Sequence, residues 1–152
     1  MRNHLHALPQ EYLPYVTLFG RALLEMGTAA EDYVKLAQRI GRKTGGIDPT
    51  SFTSTVRESG RSTAWLVLRG KATTDHAGDL LDILRDVLLT ARLDNRERFR
   101  QIVLEEKASR EAGLVPGGHI VALTRLRAHF SESDWAAEQM GGVSYLFFLR
   151  QL

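Results

Sequence analysis

Thr28 to Val56, TAAEDYVKLAQRIGRKTGGIDPTSFTSTV, reads as a helix, a glycine break and an alternating strand. Thr28 and Glu31 have the spacing of a capping box, in which each side chain answers a free backbone donor of the other. The helix is expected over Glu31 to Lys43, with acids in its first turn and bases in its last, as the helix dipole favours. Thr44-Gly45-Gly46 stops it, since both glycines accept the left-handed geometry that ends helices. Ile47 to Val56 then runs out as a strand. In it Phe52 and Val56 share one face, and the Ser and Thr residues share the other.

Outward from this unit the chain alternates little. On its N-terminal side, Tyr12, Tyr15, Val16, Phe19, Leu23 and Met26 recur at spacings of three and four, which predicts a helix over Glu11 to Met26 closed by Gly27. Pro14 fits the first turn of that helix. On its C-terminal side, Arg57 to Arg61 is polar turn chemistry, and Ala64 to Lys71 is a second strand. The centre of that strand, Trp65 to Leu68, is apolar on both faces, so cover on both sides is expected. The two strands form an antiparallel hairpin.

From Thr74 the pattern is helical. Asp75 to Arg92 carries a broad Leu/Val stripe. Asp94 with Glu97 is a second capping pair, opening a helix through Glu111 with Phe99, Ile102 and Val103 inward. Glu97, Arg98, Arg100, Glu105, Glu106, Lys107 and Arg110 read as its solvated face. Breaker chemistry at Gly113 to Gly118 precedes a helix over His119 to Phe130, with Ile120, Leu123, Leu126 and Phe130 as its apolar face. Ser131 or Ser133 caps Asp134 to Met140. Gly141-Gly142 then leads to the strongly apolar Val143 to Leu152, read as core or interdomain contact. The class is α+β: an antiparallel hairpin or small sheet covered by helices, in the order ααββαααα.

Bulk properties bound the function. The chain has 152 residues, 20 bases against 18 acids, a net charge of +2 and no cysteine. That suits one soluble domain and a reducing compartment. The small, dispersed excess of bases argues against nucleic acid. No apolar run approaches the roughly 20 residues that span a bilayer, so no membrane role is expected. Without cysteine, thiolate catalysis and Cys-based zinc sites are excluded.

Candidate chemistry is thin. The five histidines are His4, His6, His76, His119 and His129, and no pair has the i, i+4 spacing of a helical zinc site. His4 and His6 share a face of an extended segment, which reads as a terminus more than as a weak metal site. His119 suits a capping or buried hydrogen-bonding role, and His76 an exposed first turn. Glu105 and Glu106 point about 100° apart and do not converge as a carboxylate pair. Ser51 to Ser54 and Ser59-Gly60 lack a nucleophile elbow. Gly41-Arg42-Lys43-Thr44-Gly45-Gly46 has phosphate-loop composition but ends a helix and precedes a strand, the reverse of the phosphate-loop order. No catalytic, cofactor-binding or metal-binding residue is assigned.

The hairpin needs neighbours. A two-stranded sheet is marginal alone, and its edges invite pairing. The segment His4-Leu5-His6-Ala7 has the look of the end of a third strand. The sheet deficit is met either by self-association through sheet edges or by a larger sheet from which these residues are cut. The second is preferred, and the isolated chain is expected to be a dimer or larger.

Leu13-Pro14-Tyr15 with Leu18, the run Leu23 to Thr28, then Tyr33 and Gly45-Gly46-Ile47, resemble in order and spacing the third domain of the presequence-protease branch of the insulinase-like zinc metallopeptidases (peptidase family M16, subfamily C). Gly118-His119 with Ala122 and Arg125, and Gly141-Gly142-Val143 with Leu146 and Leu149, agree. The resemblance covers nearly the whole chain. It implies a partial domain of the metallohydrolase type, one of four related α/β domains that close around peptides. It implies zinc in another domain, on a His-x-x-Glu-His motif that this chain lacks, and a substrate-binding Arg and Tyr pair that is also not matched here. The expected role is therefore a non-catalytic, chamber-forming domain, residues 1–152, of a zinc metalloendopeptidase. Its partners would be the other domains of the parent and unfolded peptides. Its setting would be a bacterial cytoplasm or, alternatively, an organellar matrix. The alternative is a free-standing interaction or dimerisation module without enzymatic activity.

Overall fold

In the computed structural model of the chain, residues 2–4 are described as strand backbone and residues 8–152 in full. The elements run β1 (Arg2–His4), α1 (Tyr15–Glu25), α2 (Tyr33–Lys43), β2 (Ile47–Thr55), β3 (Ser62–Gly70), α3 (Ala77–Leu89), α4 (Arg96–Gly113), α5 (Gly118–Arg127), α6 (Glu132–Gly141) and α7 (Val143–Gln151). The α+β reading holds, filled out by a third strand at the N-terminus and a fifth helix after the hairpin. Of the expected third-strand segment, His4 lies in β1, while Leu5, His6 and Ala7 fall outside the described residues.

The sheet is antiparallel in the order β1-β3-β2. β1 pairs Asn3 with Leu66, and β2 pairs Phe52 with Trp65 and Pro49 with Leu68. Val56 N donates to Arg61 O at 2.8 Å and Lys71 N to Gly46 O at 3.2 Å. Even-numbered residues of β2 therefore exchange hydrogen bonds with β3, and odd-numbered ones turn their peptide groups to the free edge. Pro49 is one of these, so its missing N–H removes no ladder bond.

Leu66 and Leu68 of β3 are buried on the helical side, with Ile47 of β2. Their face meets α1, α3 and α6. The opposite face carries Phe52, 52% exposed, and Val56, 44% exposed, beside half-buried Trp65 and Val67. Cover on both sides of β3 was the expectation from its composition, and the structure corrects it: the helices that touch the sheet do so on the Leu66/Leu68 face. The residues of β2 that turn toward the helices are Ile47 and Pro49 and then the small polar Ser51, Thr53 and Thr55. Thr55 Oγ1, for example, lies 3.1 Å from Ser133 Oγ of α6.

The molecule is centred on α1. Leu18, Ala22 and Met26 pack with Ile102, Tyr145 and Leu149. Leu23 and Leu24 pack with Leu36, Leu68, Ile83 and Val87. Val16 packs with Leu66, Ala136 and Met140. Gly20 lets α1 lie close on β2, because a Cβ there would sit 2.8 Å from Pro49 Cβ.

Several expected boundaries move. Asp32, not Thr28, caps α2 by accepting from Lys35 N at 2.9 Å. Thr28 is buried and splices two loops instead. Its N–H donates to Glu31 O, while Ala29 N donates to Thr90 O and Arg92 N to Gly27 O. Glu31 turns its carboxylate to Arg39 at 2.9 Å. Asn95, not Asp94, caps α4 through Arg98 N at 3.0 Å. Ser131 caps α6, accepting from Asp134 N. Of the two glycines after α2, Gly46 takes the positive φ, at 112°.

The largest departures concern two helix faces. α4 does not present all its charges to water: Glu106 is 8% exposed. α5 does not bury its large apolar residues: Ile120, Leu123, Leu126 and Phe130 are all exposed. α7 is core as expected, with Tyr145, Leu146 and Leu149 buried, although Phe147 is half in solvent.

Candidate functional site

The densest polar constellation joins α1 to α4. Arg21 of α1 projects between the helices and reaches three carboxylates: Glu25 at 2.8 Å, Glu105 at 3.0 Å and Glu106 at 3.2 Å. Glu105 and Glu106, read as diverging neighbours, thus meet on one guanidinium supplied by another helix. Glu106 also takes Arg110 at 2.8 Å, one turn along α4. Arg98 completes the set, donating through Nε to Glu25 O at 3.0 Å and through Nη2 to Glu25 Oε2 at 3.0 Å. Its guanidinium also lies 4.9 Å from the centre of the Tyr33 ring.

These groups wall a cleft of about 550 Å³ between α1, the start of β2, α4 and the end of α6. Arg21, Glu25, Glu106 and Arg110 form its charged wall, and Pro49 and Leu66 form part of the apolar one. The volume is in the range of ligand-holding clefts. Its charged groups are paired with one another across the two helices. Burial alone would lower the pKa of Arg21, but the hydrogen bond to Glu25 and then the charges of its other carboxylate partners outweigh burial and raise it. Here Glu25, Glu105 and Glu106 each lie on a guanidinium that stays charged.

Tyr145 of α7 lies behind this wall, fully buried, with the Arg110 guanidinium 5.2 Å from its ring centre. Its hydroxyl has no hydrogen-bond partner among the described residues. Burial first, and the Glu106 charge second, push its pKa up, so it stays a neutral phenol.

The other polar groups also serve structure. Arg39 bridges Glu31 at 2.9 Å and Asp86 at 2.7 Å, which ties α2 to α3 and raises the Arg39 pKa, chiefly through Asp86. Glu138 of α6 is 1% exposed and accepts from Ser144 N at 3.0 Å, fixing the start of α7. Arg125 of α5 reaches the same carboxylate at 3.2 Å. In the Gly41 to Gly46 stretch, Lys43 pairs with Asp79 at 3.3 Å and Thr44 Oγ1 donates to Ile40 O at 2.7 Å.

The histidines stay apart. His76 Nδ1 lies 2.7 Å from Asp79 Oδ2 at the start of α3. His119 is exposed and caps nothing, against the capping or buried role read for it, because the cap position of α5 is Gly117. His129 is exposed beyond the end of α5. The side chains of His4 and His6 lie outside the described residues. Among the described residues no group of three or more His, Asp or Glu side chains is placed to hold a metal ion. The zinc implied by the family resemblance therefore finds no donor set in them.

Sequence reasoning missed Arg21, Glu25 and Arg98 as members of one cluster. The available signal was Arg21 and Glu25 at i, i+4 on a mostly apolar helix. Their partners, about 80 residues away on α4, become visible only in three dimensions.

The site thus defines a class: an α+β domain whose charged groups clasp helices together. Over residues 1–152 the chain matches the family of domains associated with peptidase family M16, subfamily C, and it belongs to that family. It is 40% identical over 146 residues to presequence protease 1, chloroplastic/mitochondrial, of Arabidopsis thaliana, an alignment that covers 96% of this chain and 14% of that protein. It is 25% identical over 156 residues to the mitochondrial presequence protease of Danio rerio, covering 99% of this chain and 15% of that one. Protein HypA of Clostridium perfringens is 26% identical over 145 residues, or 95% and 15% of the two chains. The chain thus spans about one seventh of the length of these relatives. A crystal structure of a conserved protein from Enterococcus faecalis V583 shares the fold at a TM-score of 0.57 and 16% identity, over 99% of this chain and 38% of that one.

Proposed function

We propose that these 152 residues form a non-catalytic domain that walls the chamber of a longer, zinc-dependent metalloendopeptidase. The observation that carries this reading is the 40% identity to a presequence protease across 96% of the chain, over only 14% of that protein. On this reading the zinc is held elsewhere in the parent, since the sequence carries no His-x-x-Glu-His motif. Here the domain contributes shape: it positions unfolded peptides and excludes folded proteins. Its partners are the other domains of the same polypeptide and the peptides held between them, in a bacterial cytoplasm or, alternatively, an organellar matrix.

The test is the native reading frame. Expressed whole, it is expected to encode a His-x-x-Glu-His motif upstream and to cleave an unstructured peptide in a zinc-dependent way. The 152-residue segment by itself is expected to cleave nothing. A reading frame confined to these residues overturns the proposal and leaves a free-standing interaction module. On the domain reading, the segment taken out of its parent self-associates through the free edge of β2 or through its exposed apolar surface. A monomer in light scattering at high concentration would count against that.

A further inference from the structure

α5 is mounted with its large apolar side chains outward. The residues turned toward the body are small or half-buried: Gly117, Val121, Thr124 and Ala128. Ile120 is 55% exposed, Leu123 51%, Leu126 63% and Phe130 82%, and Val115 just before the helix is 91% exposed. A surface helix ordinarily buries such a stripe. Large apolar side chains left exposed at helical spacing along one segment point to an interaction surface.

The helix is held firmly in this orientation. Arg125 reaches Glu138 at 3.2 Å and Ser144 Oγ at 3.0 Å, and Arg127 reaches Asp134 at 3.2 Å. Rotating α5 to bury its leucines would break each of these contacts and take the cation away from Glu138, which is 1% exposed. The outward stripe is therefore a fixed feature of the fold.

Charge selects the occupant. From Leu114 to Phe130 there is no acidic residue, while Arg125, Arg127, His119 and His129 border the stripe. The two arginines keep more than half of their side-chain surface in solvent although each is paired on one side. A second copy of α5 would bring like charges together, so self-packing of this face is disfavoured. The chain accounts for 14% of the length of its Arabidopsis relative and 38% of the Enterococcus chain that shares its fold, so ample polypeptide is available in cis.

We propose that residues 115–130 dock, in cis, against a segment of the same longer polypeptide that lies outside these 152 residues and offers an apolar surface bordered by carboxylates. This rests on the domain reading above. In the full native polypeptide, Phe130 is replaced by p-benzoyl-phenylalanine, an aromatic exchange at an exposed position, and the protein is irradiated and mapped by mass spectrometry. The expected result is one dominant intramolecular cross-link to a segment beyond these residues with Asp or Glu beside apolar residues. As a second measurement, Leu126→Glu is expected to raise hydrogen exchange in both α5 and that segment by about tenfold or more.

Cross-links confined to a second polypeptide, detected by mixing isotopically light and heavy protein, overturn the proposal. So does the absence of any cross-link, or light-independent co-sedimentation with anionic vesicles through this helix. A full polypeptide that cleaves peptide but yields no cross-link refutes this inference alone. A reading frame confined to the present residues refutes the domain reading before irradiation begins.

Discussion

Arg21 of α1 and Glu106 of α4 meet at 3.2 Å, and that contact joins the central helix to the longest one in the molecule. Glu106 is 8% exposed and is shared with Arg110, so its charge is answered from two sides. Without Glu106, Arg21 keeps Glu25 and Glu105 and Arg110 keeps Gly141 O, so the loss is that of charge-assisted hydrogen bonds, about 1.5–3 kcal/mol. Glu106→Ala is therefore expected to lower unfolding stability by roughly that amount in urea titration. A loss below about 1 kcal/mol would show that water takes over the carboxylate's role.

Gly20 and Pro49 define the distance between α1 and the sheet. The pyrrolidine ring cannot move aside as a long side chain would, so a methyl group 2.8 Å from its Cβ forces the helix off the strand. Gly20→Ala is expected to destabilise by about 1–3 kcal/mol, the range of overpacked cores. Part of that loss should vanish in a Pro49→Gly background. A double-mutant cycle with no coupling would place the strain elsewhere.

The buried hydroxyl of Tyr145 gives two expectations. A buried polar group left without a partner costs about 1–3 kcal/mol, so Tyr145→Phe should be neutral or stabilising in thermal unfolding. Burial and then Glu106 raise the Tyr145 pKa. A raised folded-state value means the folded protein holds this proton more tightly. The resulting stability is fully present below the unfolded-state pKa and is lost as pH rises through the folded one. In an alkaline absorbance titration, one of the four tyrosines should ionise only as the protein unfolds, and Tyr145→Phe should remove that step. Ionisation of all four before unfolding would contradict it.

Asp79 titrates in the opposite sense. Its hydrogen bond with His76 chiefly, and its contact with Lys43 after that, hold its pKa below the ordinary aspartate value. A depressed carboxylate pKa contributes stability above the unfolded-state value, and that contribution disappears as pH falls through the folded one. Carboxyl NMR should show Asp79 titrating below ordinary aspartates, moving up in His76→Ala. An unchanged Asp79 midpoint in that variant would shift the cause to Lys43.

Local chemistry was legible in the sequence where one segment decides the outcome by itself. The hairpin, the apolar α7 and the glycine stop after α2 follow from periodicity and backbone geometry; of the stripe read on α1, Val16, Leu23 and Met26 are buried, but Tyr12, Tyr15 and Phe19 lie exposed, because Leu18, Ala22 and Leu24 take the inward face. Caps slipped by a residue or more because Thr28, Asp32, Asp94 and Asn95 are all competent oxygen acceptors, and loop splicing decides among them. Glu106 looked solvated because it sits in a run of charged residues on α4; Arg21 from another helix, with Arg110 of α4 itself, offsets the cost of burying it. α5 was misassigned for a complementary reason. Its apolar residues recur at helical spacing but turn to solvent in the structure, so a rule that points stripes inward gives the wrong side. The charged cleft wall was likewise hidden, since Arg21 and Glu106 are remote in sequence.

Pro49 leaves a blank in the free border of the sheet. Along that border, Ile47, Ser51 and Thr53 each offer a donor and an acceptor, whereas Pro49 offers a carbonyl alone. Any strand laid against β2 meets this blank partway along, and a carbonyl opposite it goes unanswered. Sliding the incoming strand moves the mismatch onto a different residue. A single imino acid thus acts as a registration mark: alignments that set water or a bulge against Pro49 are favoured over the rest.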